Sequence, residues 1–220
     1  MYRPVSLMLF HMEQPKLSRM GFVLAGGKSS RMGTDKAFLE FGGQTLLDRA
    51  FAVVGTVCAS VTIVGDPDRF AKYGSTKYGP VVADIFPGCG PLAGIHAALA
   101  HSSAELNLML AVDMPFISAE LLAFLFALAE TNDPVVTVPR VGKGLQPLCA
   151  VYRPAFRATA EQALQAGNYK VDAAFSSASI RVIEEGELAT AGFSGRCFFN
   201  VNTPQDRFSA ESGDFGFRPR

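Results

Sequence analysis

From Leu24 to Lys36 the chain reads L-A-G-G-K-S-S-R-M-G-T-D-K, residue types suited to holding a polyphosphate. An apolar run over 20–25 precedes it and reads as a short buried strand that stops at paired glycines. Lacking a Cβ, Gly26 and Gly27 let backbone N–H groups converge on an anion. Lys28, Arg31 and Lys36 add cations within the same stretch, with Arg31 and Lys36 the candidates for phosphate contacts. Two familiar phosphate loops are excluded by spacing. The first glycine of G-x-x-x-x-G-K would fall at Phe22, and G-x-G-x-x-G fails because Gly26 and Gly27 are adjacent.

Two acids stand at the ends of other predicted strands. The run 108–112 is wholly apolar, as a parallel strand covered on both faces requires, and it ends at Asp113. A carboxylate there either satisfies nearby backbone N–H groups or holds a cation. Magnesium needs few protein oxygens when a substrate supplies phosphates, so Asp113 is the candidate Mg2+ ligand. Asp84 follows a third strand at 81–83 and either caps a turn or accepts hydrogen bonds from a ligand. Arg153 and Lys170 are further cations that a solvated surface also explains, and His96 and His101 read as packing or surface residues.

The elements that must position these groups alternate. Gly42-Gly43 marks a tight turn, and 46–57 has helical spacing with Leu47, Ala50, Phe51, Val54 and Val57 facing inward. A strand over 61–64, a short helix over 69–73 and a Gly/Pro-rich break over 87–94 follow, then a helix over 92–100. Ser118 is placed to cap a helix over 119–130. Strands are predicted at 135–138, 148–152, 180–184 and 198–201, with helices at 154–166 and 171–175. The pattern implies an α/β, three-layer α/β/α fold with a mostly parallel sheet. Ligands gather at the carboxyl ends of strands in such sheets, and the Gly26 loop, Asp84 and Asp113 all fall there.

A chain of 220 residues suits one domain, expected over 20–208, with flexible segments at 1–19 and 209–220. Lys plus Arg equal Asp plus Glu at 20 each, which argues against a nucleic-acid surface. The apolar stretch near the start is too short to span a membrane. Cys58, Cys89, Cys149 and Cys197 lie far apart with no C-x-x-C, which favours a reducing cytoplasm over a disulfide framework or zinc site.

The glycine-rich loop resembles that of the molybdenum cofactor guanylyltransferase family, Rossmann-like nucleotidyltransferases. So do F-G-G-Q-T-L-L-D-R at 41–49, G-P-L-A-G-I at 90–95, A-V-D-M-P-F at 111–116 and F-F-N-V-N-T-P-Q-D at 198–206. The resemblance implies transfer of GMP from GTP to the molybdenum-molybdopterin cofactor, with release of pyrophosphate and acceptor molybdoenzymes downstream. It implies nucleotide contacts at Leu24, Ala25, Gly26, Gly27, Lys36, Asp84 and Asp113, with magnesium at Asp113. It places Asn200 and Asn202 near the cofactor side, where amides bond a pterin edge if 198–202 is extended; the alternative is that Asn202-Thr203-Pro204 caps a last helix. Gly26 stands where cytidylyltransferase relatives carry alanine, leaving room for a purine. A family asparagine falls at Val64 or Gly65, neither of which offers an amide. The alternatives are a CTP-dependent or sugar-phosphate nucleotidyltransferase, or a non-catalytic nucleotide-binding relative; both monomer and homo-oligomer remain open.

Overall fold

The computed structural model describes residues 17–26, 35–72, 75–131 and 133–212. The first apolar run forms β1 (Arg19–Leu24), with Phe22 and Val23 wholly buried. A 3-10 turn at Lys36–Phe38 is opened by Asp35, whose carboxylate accepts from the Ala37 N–H. β2 (Glu40–Phe41) and β3 (Gln44–Thr45) form a small hairpin. Its turn requires two left-handed residues, supplied by Gly42 (φ 58°) and Gly43 (φ 80°). Thr45 then caps α1 (Leu46–Gly55) by accepting from the Asp48 N–H.

The alternation continues with β4 (Ser60–Val64), α2 (Pro67–Lys72), β5 (Val81–Val82) and α3 (Pro91–His101). Next come β6 (Leu106–Ala111) and α4 (Ala119–Ala129), capped by Ser118 as its sequence suggests. β7 (Val136–Val141) and β8 (Gly144–Leu145) form a second hairpin, followed by β9 (Cys149–Tyr152), α5 (Phe156–Gln165) and α6 (Val171–Ala174). β10 (Ile180–Ile183), α7 (Glu185–Thr190) and α8 (Pro204–Ser212) complete the described chain.

The main sheet runs β10-β7-β9-β6-β1-β4-β5, with β8 attached to β7. β1 sits centrally and is parallel to both β4 and β6. Adjacent residues of each central strand go to opposite layers, following the two-residue period of extended chain. Val23, Ile63 and Leu108 join Leu47, Val54, Leu122 and Phe126 on one face. Phe22, Val64 and Met109 join Leu92, Ile95, Tyr152 and Phe156 on the other. Every residue of β6 is buried, as two-sided cover demands. The three-layer, mostly parallel architecture expected from the sequence is therefore present.

Several elements differ from expectation. β9 runs antiparallel to both β6 and β7, so the parallel order breaks on that side of the sheet. The predicted strand at 198–201 is absent: a 3-10 turn at Gly195–Phe198 precedes it, and the segment joins no sheet. Phe198 and Val201 are still buried, so their apolar character is satisfied by a turn. α8 carries regular structure to Ser212, four residues beyond the expected boundary at 208. β8 and α7 were not anticipated.

Candidate functional site

Parallel register aligns the carboxyl ends of the central strands. Leu24 is level with Val64 on one side and Ala111 on the other. Beyond the strands, Val112 N–H donates to the Leu24 carbonyl (3.1 Å), Ala25 N–H to Val64 (2.9 Å) and Gly65 N–H to Val82 (2.9 Å). Gly26, Asp113 and Asp84 all lie just past these last pairings. Neighbouring strands stand about 4.8 Å apart, so the three fall along a single rim.

At that rim Lys36 meets Asp113. Lys36 Nζ lies 2.5 Å from Asp113 Oδ2 and 2.6 Å from Asn202 Oδ1. Both charged side chains are mostly buried, at 17% and 19% exposure, which strengthens the attraction relative to a surface pair. Asp113 is fixed at its backbone too, because its carbonyl accepts from Val201 N–H at 2.9 Å. Its second carboxylate oxygen, Oδ1, is buried and has no hydrogen-bond partner among the described residues. An anionic oxygen in that state is an acceptor awaiting a cation or a donor.

Beside Asp113 opens a cleft of about 300 Å³, lined by Met114, Gln146, Pro147, Leu148, Asn200 and Asn202. Asn200 and Asn202 thus share the cleft although no strand presents them. Asn202 also heads α8: Asp206 Oδ2 accepts from the N–H groups of Asn202 and Thr203, and Thr203 Oγ1 accepts from Asp206 N–H. This reciprocal cap fixes the backbone at Asn202 while its side chain holds Lys36. Gln146 is a lining residue that sequence reading missed, because only the turn between β8 and β9 brings it there. Its N–H is tied to the Pro139 carbonyl at 2.8 Å, and its carbonyl takes the Cys149 N–H at 3.0 Å.

Asp84 faces the other stretch of the rim. A Cβ placed on Gly26 would meet Asp84 Oδ2 at 4.0 Å, and one on Gly94 of α3 would meet Oδ1 at 3.7 Å. The carboxylate thus lies between the end of β1 and the start of α3. Burial pushes its pKa up, and no described residue gives it a hydrogen bond or ion pair. At Gly26 that ordinary contact would be the only one with described residues, so the fold itself does not demand glycine there.

Gly27 and Arg31, with Lys28, lie outside the described residues. Leu24 and Ala25 contribute backbone groups at the rim, and Ala25 is 1% exposed. Arg153 is not a free anion site: it donates to the Pro134 and Ala129 carbonyls and pairs with Asp133 at 2.7 Å. Lys170 sits exposed ahead of α6. His96 is buried against Phe86, with ring centroids 5.2 Å apart, and burial lowers its pKa despite Glu161 nearby. At the position of the family asparagine, Val64 points into the core, and any Cβ on Gly65 would meet the Phe70 ring at 2.9 Å. At Gly65 a side chain would collide with that ring, and at Val64 an amide would be buried among apolar groups.

Among the described residues no group of three or more His, Cys, Asp or Glu is poised to hold a metal, so any cation at this rim would depend on Asp113 and on ligand oxygens. No described helix is long and apolar enough to cross a membrane.

Known proteins resemble this chain in sequence and in overall fold. The family model of the MobA-like NTP transferase domain matches residues 21–179. The chain is 38% identical over 194 residues to a protein of Pelotomaculum thermopropionicum named probable molybdenum cofactor guanylyltransferase, covering 88% of this chain and 92% of that one. It is 31% identical over 194 residues to the molybdenum cofactor guanylyltransferase of Desulfosudis oleivorans, covering 87% and 94%. The solved structure of molybdopterin-guanine dinucleotide biosynthesis protein A from Archaeoglobus fulgidus matches with a TM-score of 0.76 at 26% identity, spanning 88% of this chain and 97% of that one. With a matching family model and relatives aligned over nearly their whole length, the chain belongs to the MobA-like NTP transferase family.

Proposed function

We propose that this protein is a molybdenum cofactor guanylyltransferase, which joins GMP from GTP to the terminal phosphate of molybdenum-molybdopterin. The observation that carries this reading is the Lys36–Asp113–Asn202 contact at the sheet rim, beside a cleft with carboxamides on its wall. The names of the relatives supply the acceptor.

In this reaction an oxygen of the acceptor phosphate bonds to the α-phosphorus of GTP, and the bond from that phosphorus to the bridging oxygen breaks. The electron pair leaves with pyrophosphate. Catalysis is therefore alignment and charge neutralisation, with no covalent protein intermediate. Lys36 brings its ammonium to the charge that grows on the phosphates, and Asp113 and Asn202 hold it at the rim before substrate arrives. Gly26 leaves clearance for the nucleotide next to Asp84, which accepts hydrogen bonds from a ribose or guanine edge. Gln146, Asn200 and Asn202 offer both donors and acceptors to a pterin edge in the cleft.

The donor set fits a divalent cation, because Asp113 Oδ1 is an anionic, buried acceptor without a partner among the described residues. Mg2+ held by Asp113 would supply charge neutralisation at the phosphate oxygens.

Pyrophosphate release, measured over a panel of GTP, CTP, ATP and UTP with molybdenum-molybdopterin as acceptor, tests the proposal. GTP should be used best, and the dinucleotide should appear in step with pyrophosphate. Lys36→Ala should lower turnover about 100-fold or more with an unchanged far-UV spectrum. A clear preference for CTP, or tight GTP binding with no product from an authentic acceptor, would refute the assignment.

A further inference from the structure

Ala25, at the end of β1, and Asp35, ahead of the Lys36–Phe38 turn, are the two stems of the glycine-rich stretch. One side chain reaches both. Arg69 of α2 donates from Nη2 to the Ala25 carbonyl, and its Nε lies 2.6 Å from Asp35 Oδ2. The Asp35 side chain is only 7% exposed, and its other oxygen accepts from Ala37 N–H at 3.1 Å. Asp35 thus passes the position of Arg69 directly to the turn that carries Lys36.

The same helix grips that turn a second time. Phe70, 1% exposed, packs on Phe38 with ring centroids 5.6 Å apart. α2 is itself fixed at its start, where Asp66 Oδ1 accepts from the N–H groups of Asp68 (3.0 Å) and Arg69 (3.4 Å). A guanidinium suits such a post because one planar cation can donate to a carbonyl and stand in an ion pair with a carboxylate at the same time, whereas an ammonium is a point donor on a flexible stem.

We infer that Arg69 is a positioning residue for nucleotide binding, bridging the two stems so that Gly26 and Lys36 stand at the separation a triphosphate needs. It touches no reacting atom; it acts through Ala25 and Asp35. The inference rests on the reading of this rim as the GTP site.

Calorimetric titration of the full chain with MgGTP tests it without requiring turnover. Arg69→Ala should weaken binding about tenfold or more, and Arg69→Lys should recover only part of that loss. The double variant Arg69→Ala, Asp35→Asn should bind no more weakly than Arg69→Ala, since both act through one link. The KM for the acceptor should stay within about twofold of wild type, which general loosening of the fold would not allow. Arg69→Lys keeps the charge and carries the test should Arg69→Ala fail to fold. Arg69→Lys binding as tightly as wild type, additive losses in the double variant, or parallel rises in both KM values would each overturn the inference. Wild-type protein that takes no GTP would sink the GTP reading and this inference together, whereas the other outcomes sink the inference alone.

Discussion

A carboxylate withdrawn from water without a described partner lowers stability whenever it is ionised, and Asp84 is such a group. Its pKa is raised by burial above the ordinary 3.8. Between 3.8 and the raised value the folded state keeps a proton that the unfolded state has released, so stability falls as pH rises through that window. Above it the penalty is present in full. Asp84→Asn should therefore stabilise the protein at neutral pH, and urea unfolding should show the gain shrinking towards pH 3.8. The same variant should bind GTP more weakly, because an amide cannot replace both acceptor oxygens. Stability and ligand binding moving together would count against a ligand role for Asp84.

At the scale of elements, α1 illustrates how a helix start is tied to its surroundings. Thr45 caps it by accepting from Asp48 N–H at 3.0 Å, and its hydroxyl donates to Asp48 Oδ2 at 2.7 Å. Lys77 and Tyr78, from the 3-10 turn at Ser75–Tyr78, both reach Asp48 Oδ1 at 2.6 Å. Burial alone would raise the Asp48 pKa, but the hydrogen bonds from Lys77, Tyr78 and Thr45 outweigh it and hold the value at about 2. A depressed folded pKa contributes stability above 3.8 that is lost as pH falls through about 2. Asp48→Ala should cost about 1 kcal/mol at neutral pH through the lost hydrogen bonds from Thr45, Lys77 and Tyr78 to the carboxylate. It should also flatten the acid limb of the stability profile between these two values, which denaturant titration at several pH values would reveal. An unchanged acid limb would show that the network contributes nothing.

For the whole molecule, the close packing of α1 on β1 requires one glycine. A Cβ on Gly21 of β1 would lie 2.1 Å from Val54 Cγ1 of α1 and 3.1 Å from Cys58 Sγ. Gly21→Ala should destabilise by about 1–3 kcal/mol through overpacking, and Val54→Ala added to it should restore part of the loss. Urea midpoints of the two single variants and the double variant decide this; strict additivity would contradict it. The site depends on the same spacing, because β1 both packs against α1 and ends in Ala25 and Gly26.

Local pattern by itself determined much of this protein. The apolar runs ending at Gly26 and Asp113 announced buried parallel strands, Ser118 announced its helix, and the order of elements placed both groups at strand ends. Those features are legible because burial, capping and turn chemistry act on neighbours in sequence. Tertiary structure alone decided the rest. The run C-A-V-Y is equally apolar whichever way it points, so the antiparallel course of β9, and with it the arrival of Gln146 in the cleft, had no local signal. The apolar run F-F-N-V asked only for burial, and a turn satisfied it where a strand was expected. Nothing in the spacing of Ala25, Asp35 and Arg69 couples them; their meeting arises because β4 pairs beside β1 and returns α2 to the stems of the loop.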